Sequence, residues 1–168
     1  KVSLEHGAGG EAMMNLIKEI ALEEFSDEES FPVGLQELDD GAAIEIDDRT
    51  LVFTTDSHTI KPIFFPGGDI GKLAVSGTVN DMAVMGGRPL AMASAIVLSE
   101  GTSVERVRKI TKSMNSTAKK GEVTIVTGDT KVVEKEALDE LIITTTGIGT
   151  ADQLVTDMGL NPGNKIIV

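Results

Sequence analysis

Two rhythms of apolar residues alternate along the chain. Between residues 10 and 25, Met13, Leu16, Ile17, Ile20 and Phe25 return at three- to five-residue steps, the spacing of one face of a helix. An acidic stretch at 26–30 follows, and Pro32 with Gly34 interrupts the chain before a strand expected at 42–46. Asp47-Asp48 predicts a turn into a second strand over 51–55, whose Leu, Val, Phe and Thr suit a pleated sheet. After Pro66-Gly67-Gly68, Asp69 has the acceptor side chain of a helix N-cap. A long helix should run from there to Met85 and stop at Gly86-Gly87 and Pro89. Residues 90–98 are apolar but for Ser94, which predicts a strand buried on both faces. Ser103 opens a third helix, where Val107, Ile110, Met114 and Ala118 recur at three- and four-residue steps. Strands at 122–127 and 141–146 close the pattern. The order predicts an α+β fold, with helices on one face of a mainly antiparallel sheet.

Composition narrows what such a fold can do. The 168 residues suit one domain with a real core, yet only five are aromatic, all Phe, so Ala, Val, Ile, Leu and Met must fill it. No apolar run approaches the ~20 residues that span a bilayer, and residues 1–5 carry no apolar signal region. The absence of Cys removes disulfides and thiolate metal sites, which fits a cytoplasmic protein. Twenty-seven acids against fifteen bases give a net charge of −12, a surface that repels nucleic acid and anionic lipid. Residues 1–150 are expected to form the functional domain. The turn-rich stretch at 159–164, and an incipient strand at 165–168, predict a linker and the start of a second domain over 151–168.

Charge becomes informative where it is clustered. Asp39-Asp40-Gly41, Thr54-Thr55-Asp56, Asn80-Asp81 and Gly128-Asp129-Thr130-Lys131 lie at or near the ends of expected elements, among apolar or small neighbours. Each Asp alone would serve as well as a turn or helix cap. Four such sites together favour a hard cation, because Mg²⁺ takes oxygen ligands and sits between a few carboxylates and substrate phosphates. Gly7-Ala8-Gly9-Gly10 could offer N–H groups to phosphate or be a flexible tail, and it lacks the Lys-Ser/Thr ending of a Walker loop. Gly71 and Gly77 suggest a helix pressed against its neighbours. His58, two residues after Asp56, either lines a pocket or is an ordinary hydrogen-bonded histidine. With His6 as the only other imidazole and no paired spacing, a zinc site is not expected.

Longer words carry a resemblance. Thr-Val-Asn-Asp-Met-Ala-Val-Met-Gly-Gly-Arg-Pro at 78–89, with Thr54-Thr55-Asp56 and Gly128-Asp129-Thr130, resembles the amino-terminal (PurM-like) domain of the aminoimidazole ribonucleotide synthetase superfamily. The stretches at 6–10, 64–75 and 127–134 resemble its hydrogenase maturation branch, the HypE family, from about His6 through Gly149. The resemblance implies ATP and Mg²⁺ as ligands in a cleft shared by two subunits, and a homodimer whose sheets close into a barrel. It places metal ligands at Asp40, Asp56 and Asp81, and nucleotide contacts at Asp40, Asn80, Gly128, Asp129 and Thr130. It makes Lys131 the catalytic group that stabilises charge on the transferring phosphoryl, chemistry that rests on positioning and electrostatics. It further implies dehydration of an S-carbamoyl cysteine to a thiocyanate for the cyanide ligands of [NiFe] hydrogenase. The carbamoyltransferase HypF and the HypC–HypD scaffold would be partners. No cysteine is present here, so this chain is expected to be inactive by itself. Thiamine-phosphate kinase, selenophosphate synthetase and a non-catalytic dimerisation module remain the alternatives.

Overall fold

The structure is a computed structural model that describes residues 1–25 and 31–165. The acidic stretch at 26–30 and the last three residues of the expected strand at 165–168 lie outside the described residues. Helix α1 (Gly10–Ile17) runs into one π turn, Lys18–Leu22. The wider turn changes the phase of the side chains. Ile20 and Phe25 are exposed, whereas the sequence pattern places them on a packed face, because neither α1 nor the π turn buries a residue.

Five strands make the main sheet: β1 (Ala42–Ile46), β2 (Arg49–His58), β5 (Gly87–Ser99), β6 (Thr124–Val133) and β7 (Leu141–Ala151). They lie in the order β1-β2-β7-β5-β6, and every pair is antiparallel except β5–β6. That parallel pair is joined through helix α3 (Val104–Lys120), as a parallel crossover requires. Asp47 makes the β1–β2 turn in the left-handed region, at φ 56°. A two-residue hairpin, β3 (Phe64–Phe65) with β4 (Gly68–Asp69), leads into helix α2 (Ile70–Val84). The Asp69 side chain accepts from the Lys72 N–H at 2.9 Å, the expected cap. Ser103 occupies the N-cap position of α3, but its side chain makes no capping bond.

Both long helices cover the same face of the sheet. Ile70, Ala74, Val75, Met92, Ile110, Met114 and Ile143 form the larger core, and Val33, Val52, Met82 and Met85 a smaller one. With few large side chains, the layers must approach closely. A Cβ on Gly71 would stand 2.7 Å from the Ile110 carbonyl, and one on Gly147 would stand 2.7 Å from Met82 Cε. Gly71 is therefore the helix-packing point the sequence suggests.

Between α2 and the sheet lies one buried polar pair. Thr78 and Thr145 share a 2.7 Å hydroxyl bond, and Thr145 donates onward to the Ala74 carbonyl at 3.2 Å. Thr78→Val alone should lower stability by about 0.5–1.5 kcal/mol by removing this bond while Thr145 still donates to Ala74, and the double Thr→Val variant should cost less than the sum of the singles. Chemical denaturation of the three variants checks this.

Strand β5 departs from its expectation. Its helix-facing residues are covered, but Leu90 is 53% exposed, and Ala91, Ala93, Ala95 and Val97 on the other face are half-buried. One chain supplies helices to one face only, so the second face is left open. Among the described residues no helix is long and apolar enough to cross a membrane.

Candidate functional site

The residues the sequence singles out fall in three places. On β2, side chains alternate between faces, so Val52, Thr54, Asp56 and His58 all turn toward α2. Asp81, near the end of α2, meets them there, and Asp40 arrives from the loop before β1. Thr54 fastens the group together: its hydroxyl lies 2.8 Å from the Asp40 carbonyl and 3.2 Å from Asp81 Oδ2. Gly41 lets that loop lie flat, because a Cβ there would stand 2.8 Å from the Phe53 carbonyl. Gly77 does the same for the strand, since a Cβ would stand 2.9 Å from His58 Nε2 and 3.6 Å from Asp56 Oδ2.

The electrostatics of this corner are those of crowded carboxyl groups. Burial first, then the hydrogen bond and the negative charge of Asp56, push Asp81 from the ordinary 3.8 up to about 7. Asp40 adds a weaker push, and the Thr54 bond acts the other way. A divalent ion beside Asp56 and Asp81 would remove the repulsion that holds the proton on, and the donors are all oxygens, so the residues fit Mg²⁺. Among the described residues no three His, Cys, Asp or Glu side chains already form a metal cage. That suits an ion carried on one or two carboxylates and completed by phosphate. Asp39 plays a different part: its Oδ1 accepts from the Asp157 N–H at 3.2 Å, while its buried Oδ2 has no partner among the described residues.

Gly128, Asp129, Thr130 and Lys131 do not reach this corner. The sequence predicts a turn there, but β6 runs straight through them as far as Val133, because β5 pairs with it all the way to Ser99. The sheet register links Asp56 to Thr145, Thr145 to Ser94 and Ser94 to Gly128. Three strand spacings, about 14 Å, separate the two groups. Gly128 can lie flat on Ser94 only without a side chain, since a Cβ would collide with the Ser94 carbonyl. Asp129 and Lys131 alternate onto the open face of the sheet, while Gly128 and Thr130 line a cleft of about 260 Å³ against α3. Asn80 points away from Asp81, into the groove between α2 and α3.

Sequence reasoning missed Thr54 as the clamp, and the i, i+2 alternation from Thr54 to His58 is the signal that finds it; Gly77 is the close-packing point the sequence suggests, with His58 as the neighbour. His58 Nδ1 is buried without a partner among the described residues.

Residues 38–151 match the family model described as AIR synthase related protein, N-terminal domain. The chain belongs to this family. Within it, the chain is 50% identical, over its whole length, to a hydrogenase expression/formation protein of Methanocaldococcus jannaschii. It is 47% identical, over 89% of its length, to the carbamoyl dehydratase HypE of Rhodobacter capsulatus. It spans 50% and 43% of those two relatives' lengths. Among solved structures, a HypE–HypF complex superposes with a TM-score of 0.78 at 44% identity, over 88% of this chain and 47% of that one. The hydrogenase maturation protein HypE in complex with ATP gives 0.61 at 42% identity, over 90% and 43%. The family fold is thus the α+β arrangement the sequence predicts, and ATP is bound by a relative of the same fold.

Proposed function

We propose that this chain is the ATP-binding unit of a carbamoyl dehydratase of hydrogenase maturation, with residues 1–150 holding Mg²⁺ and nucleotide. The observation that carries the reading is the crowded carboxyl pair Asp56–Asp81 beside Asp40, inside the family-matched segment 38–151. When bound, the ion would neutralise phosphate charge next to these carboxylates. Asp56 and Asp81 hold it, and Asp40 completes the acidic rim. Thr54 keeps Asp81 turned toward Asp56. Gly128, Asp129 and Thr130 contact the nucleotide, and Lys131 stabilises charge on the phosphoryl group in flight; Asn80, turned into the groove between α2 and α3, is left out of this reading.

In the proposed reaction, the oxygen of an S-carbamoyl cysteine takes the γ-phosphoryl group of ATP. It then leaves as phosphate while the nitrogen gives up both protons, so S–C(=O)NH₂ becomes S–C≡N. The cysteine must come from outside these 168 residues, which contain none. This chain alone therefore would not turn over.

A single copy keeps Lys131 and the Asp56–Asp81 pair apart, and it leaves Phe53, Leu90 and Ile148 exposed on the open sheet face. The exposed apolar residues support a homodimer in which two such faces close into a barrel; the resemblance to the family puts the nucleotide cleft between its subunits. The carbamoyltransferase HypF and a HypC–HypD scaffold are the partners this reading implies. Nucleotide affinity should depend on a divalent ion, because three carboxylates repel bare ATP⁴⁻. Calorimetry on the full-length protein should show a large ATP heat with Mg²⁺ and little in EDTA. Equal heats would remove the metal-bridge reading.

A further inference from the structure

On the side of the helices away from the sheet, a groove of about 380 Å³ runs between α2 and α3. One wall is the stripe Lys72, Ser76 and Asn80, and the other is Ser113, Ser116 and Lys120. No carboxylate lines it, although the chain as a whole carries −12. Helix α3 is itself inverted in charge, with six bases (Arg106, Arg108, Lys109, Lys112, Lys119 and Lys120) against one acid, Glu105. Arg106 is held by Glu140 and Arg108 by Glu105, while the lysines have no ion-pair partner among the described residues. Beyond a Debye length of ~8 Å the acidic remainder is screened, so the local cations set the field in the groove.

The helices run side by side in the same direction, since Gly71 touches Ile110 and Met114 while Val79 lies against Gly121. Lys72 therefore stands at one end of the groove, its Nζ donating to the Gly67 carbonyl at 2.8 Å, and Lys120 stands at the other. Nine residues of α2 from Lys72 to Asn80 rise about 12 Å. The Lys72 ammonium is held at Gly67, before the start of α2, and so away from the Lys120 end of the groove. Between them lie hydroxyl and amide groups that both donate and accept, as peptide N–H and C=O groups need. An extended segment covers 12 Å in about four residues.

We propose that the α2–α3 groove binds an acidic, extended peptide segment of a partner protein, with carboxylates about four residues apart meeting Lys72 and Lys120. This does not rest on the nucleotide site, which lies on the other side of α2. The test is fluorescence anisotropy on the whole protein with a labelled Glu-Ser-Gly-Ser-Glu peptide and its Gln-Ser-Gly-Ser-Gln counterpart. The acidic peptide should bind in a salt-sensitive way and the Gln peptide should not. The double variant Lys72→Gln, Lys120→Gln should weaken binding about fivefold, the scale of two exposed ion pairs, with no change in ATP affinity. No binding, binding indifferent to the double variant, or displacement by equimolar inorganic phosphate or ATP would each overturn the proposal.

Discussion

Asp81→Asn is expected to cut ATP hydrolysis by the full-length enzyme about a hundredfold or more, while raising the melting temperature of the metal-free protein. The first effect follows from removing one of the two charges proposed to balance the ion, a loss on the scale of other charge-stabilising groups. The second follows from the raised affinity of Asp81 for its proton, at about 7 against 3.8. Between those values the folded protein keeps a proton that the unfolded chain has released. The stability Asp81 contributes is therefore complete below about pH 4 and is lost as pH rises toward 7. Asn cannot ionise, so the variant should melt above the parent at pH 8 and converge with it near pH 4. Asp81 is only half-buried, and solvent screens the repulsion, so the gap should be about 1 kcal/mol, or 2–4 °C. Asp56→Asn should likewise cut ATP hydrolysis, by removing the other charge proposed to balance the ion. Asp69→Asn should be nearly silent, because Asn caps as well as Asp. Scanning calorimetry in EDTA at the two pH values, with ATPase assays in Mg²⁺, decides the matter. Near-normal activity in both Asp56→Asn and Asp81→Asn would end the metal assignment.

A large loss of stability should come from Gly71→Val. Its Cβ would meet the Ile110 carbonyl at 2.7 Å, Met114 Cγ at 2.8 Å and Ile110 Cγ2 at 2.9 Å. The nearest wall is backbone and cannot swing aside, so α2 and α3 must part. Overpacking of this kind costs about 3 kcal/mol, equivalent to roughly 6–12 °C in melting temperature for a chain of this size. Gly67→Val is the control for β-branching at a glycine, since a Cβ there meets nothing within 4 Å and only its φ of 94° opposes the change. A thermal melt of Gly71→Val no lower than that of Gly67→Val would show that the helices are not in close contact.

Local rhythm made much of the fold legible. The strand expected at 42–46 is β1, and Asp69 caps α2 as its position predicts. The errors fall where a distant partner decides. The strand expected at 122–127 runs on through Gly128–Lys131 to Val133, because β5 lies beside it. Residues 56–58 likewise stay in β2 because β7 supplies partners out to Ile143. The π turn after α1 has no sequence marker that periodicity could detect. For the site, Thr-Thr-Asp and Asn-Asp marked two carboxylates, Asp56 and Asp81, that the fold brings side by side. Their distance from Gly128–Lys131 follows from strand order, which no local pattern encodes.

That strand order also sets a sequence of events. Thr55 and Thr146 are hydrogen-bonded neighbours at 2.9 Å, although 91 residues separate them along the chain. As the chain leaves the ribosome, β1 and β2 can form a hairpin at once, but the strand that holds β2 in the sheet is the last of the five to emerge. Until β7 inserts between β2 and β5, the β1–β2 hairpin has no place in the sheet, and closing so long a loop is slow. A ribosome-bound chain ending before Leu141 would therefore hold its hairpin and its β5–β6 pair as separate pieces, which the last strand joins in a single step.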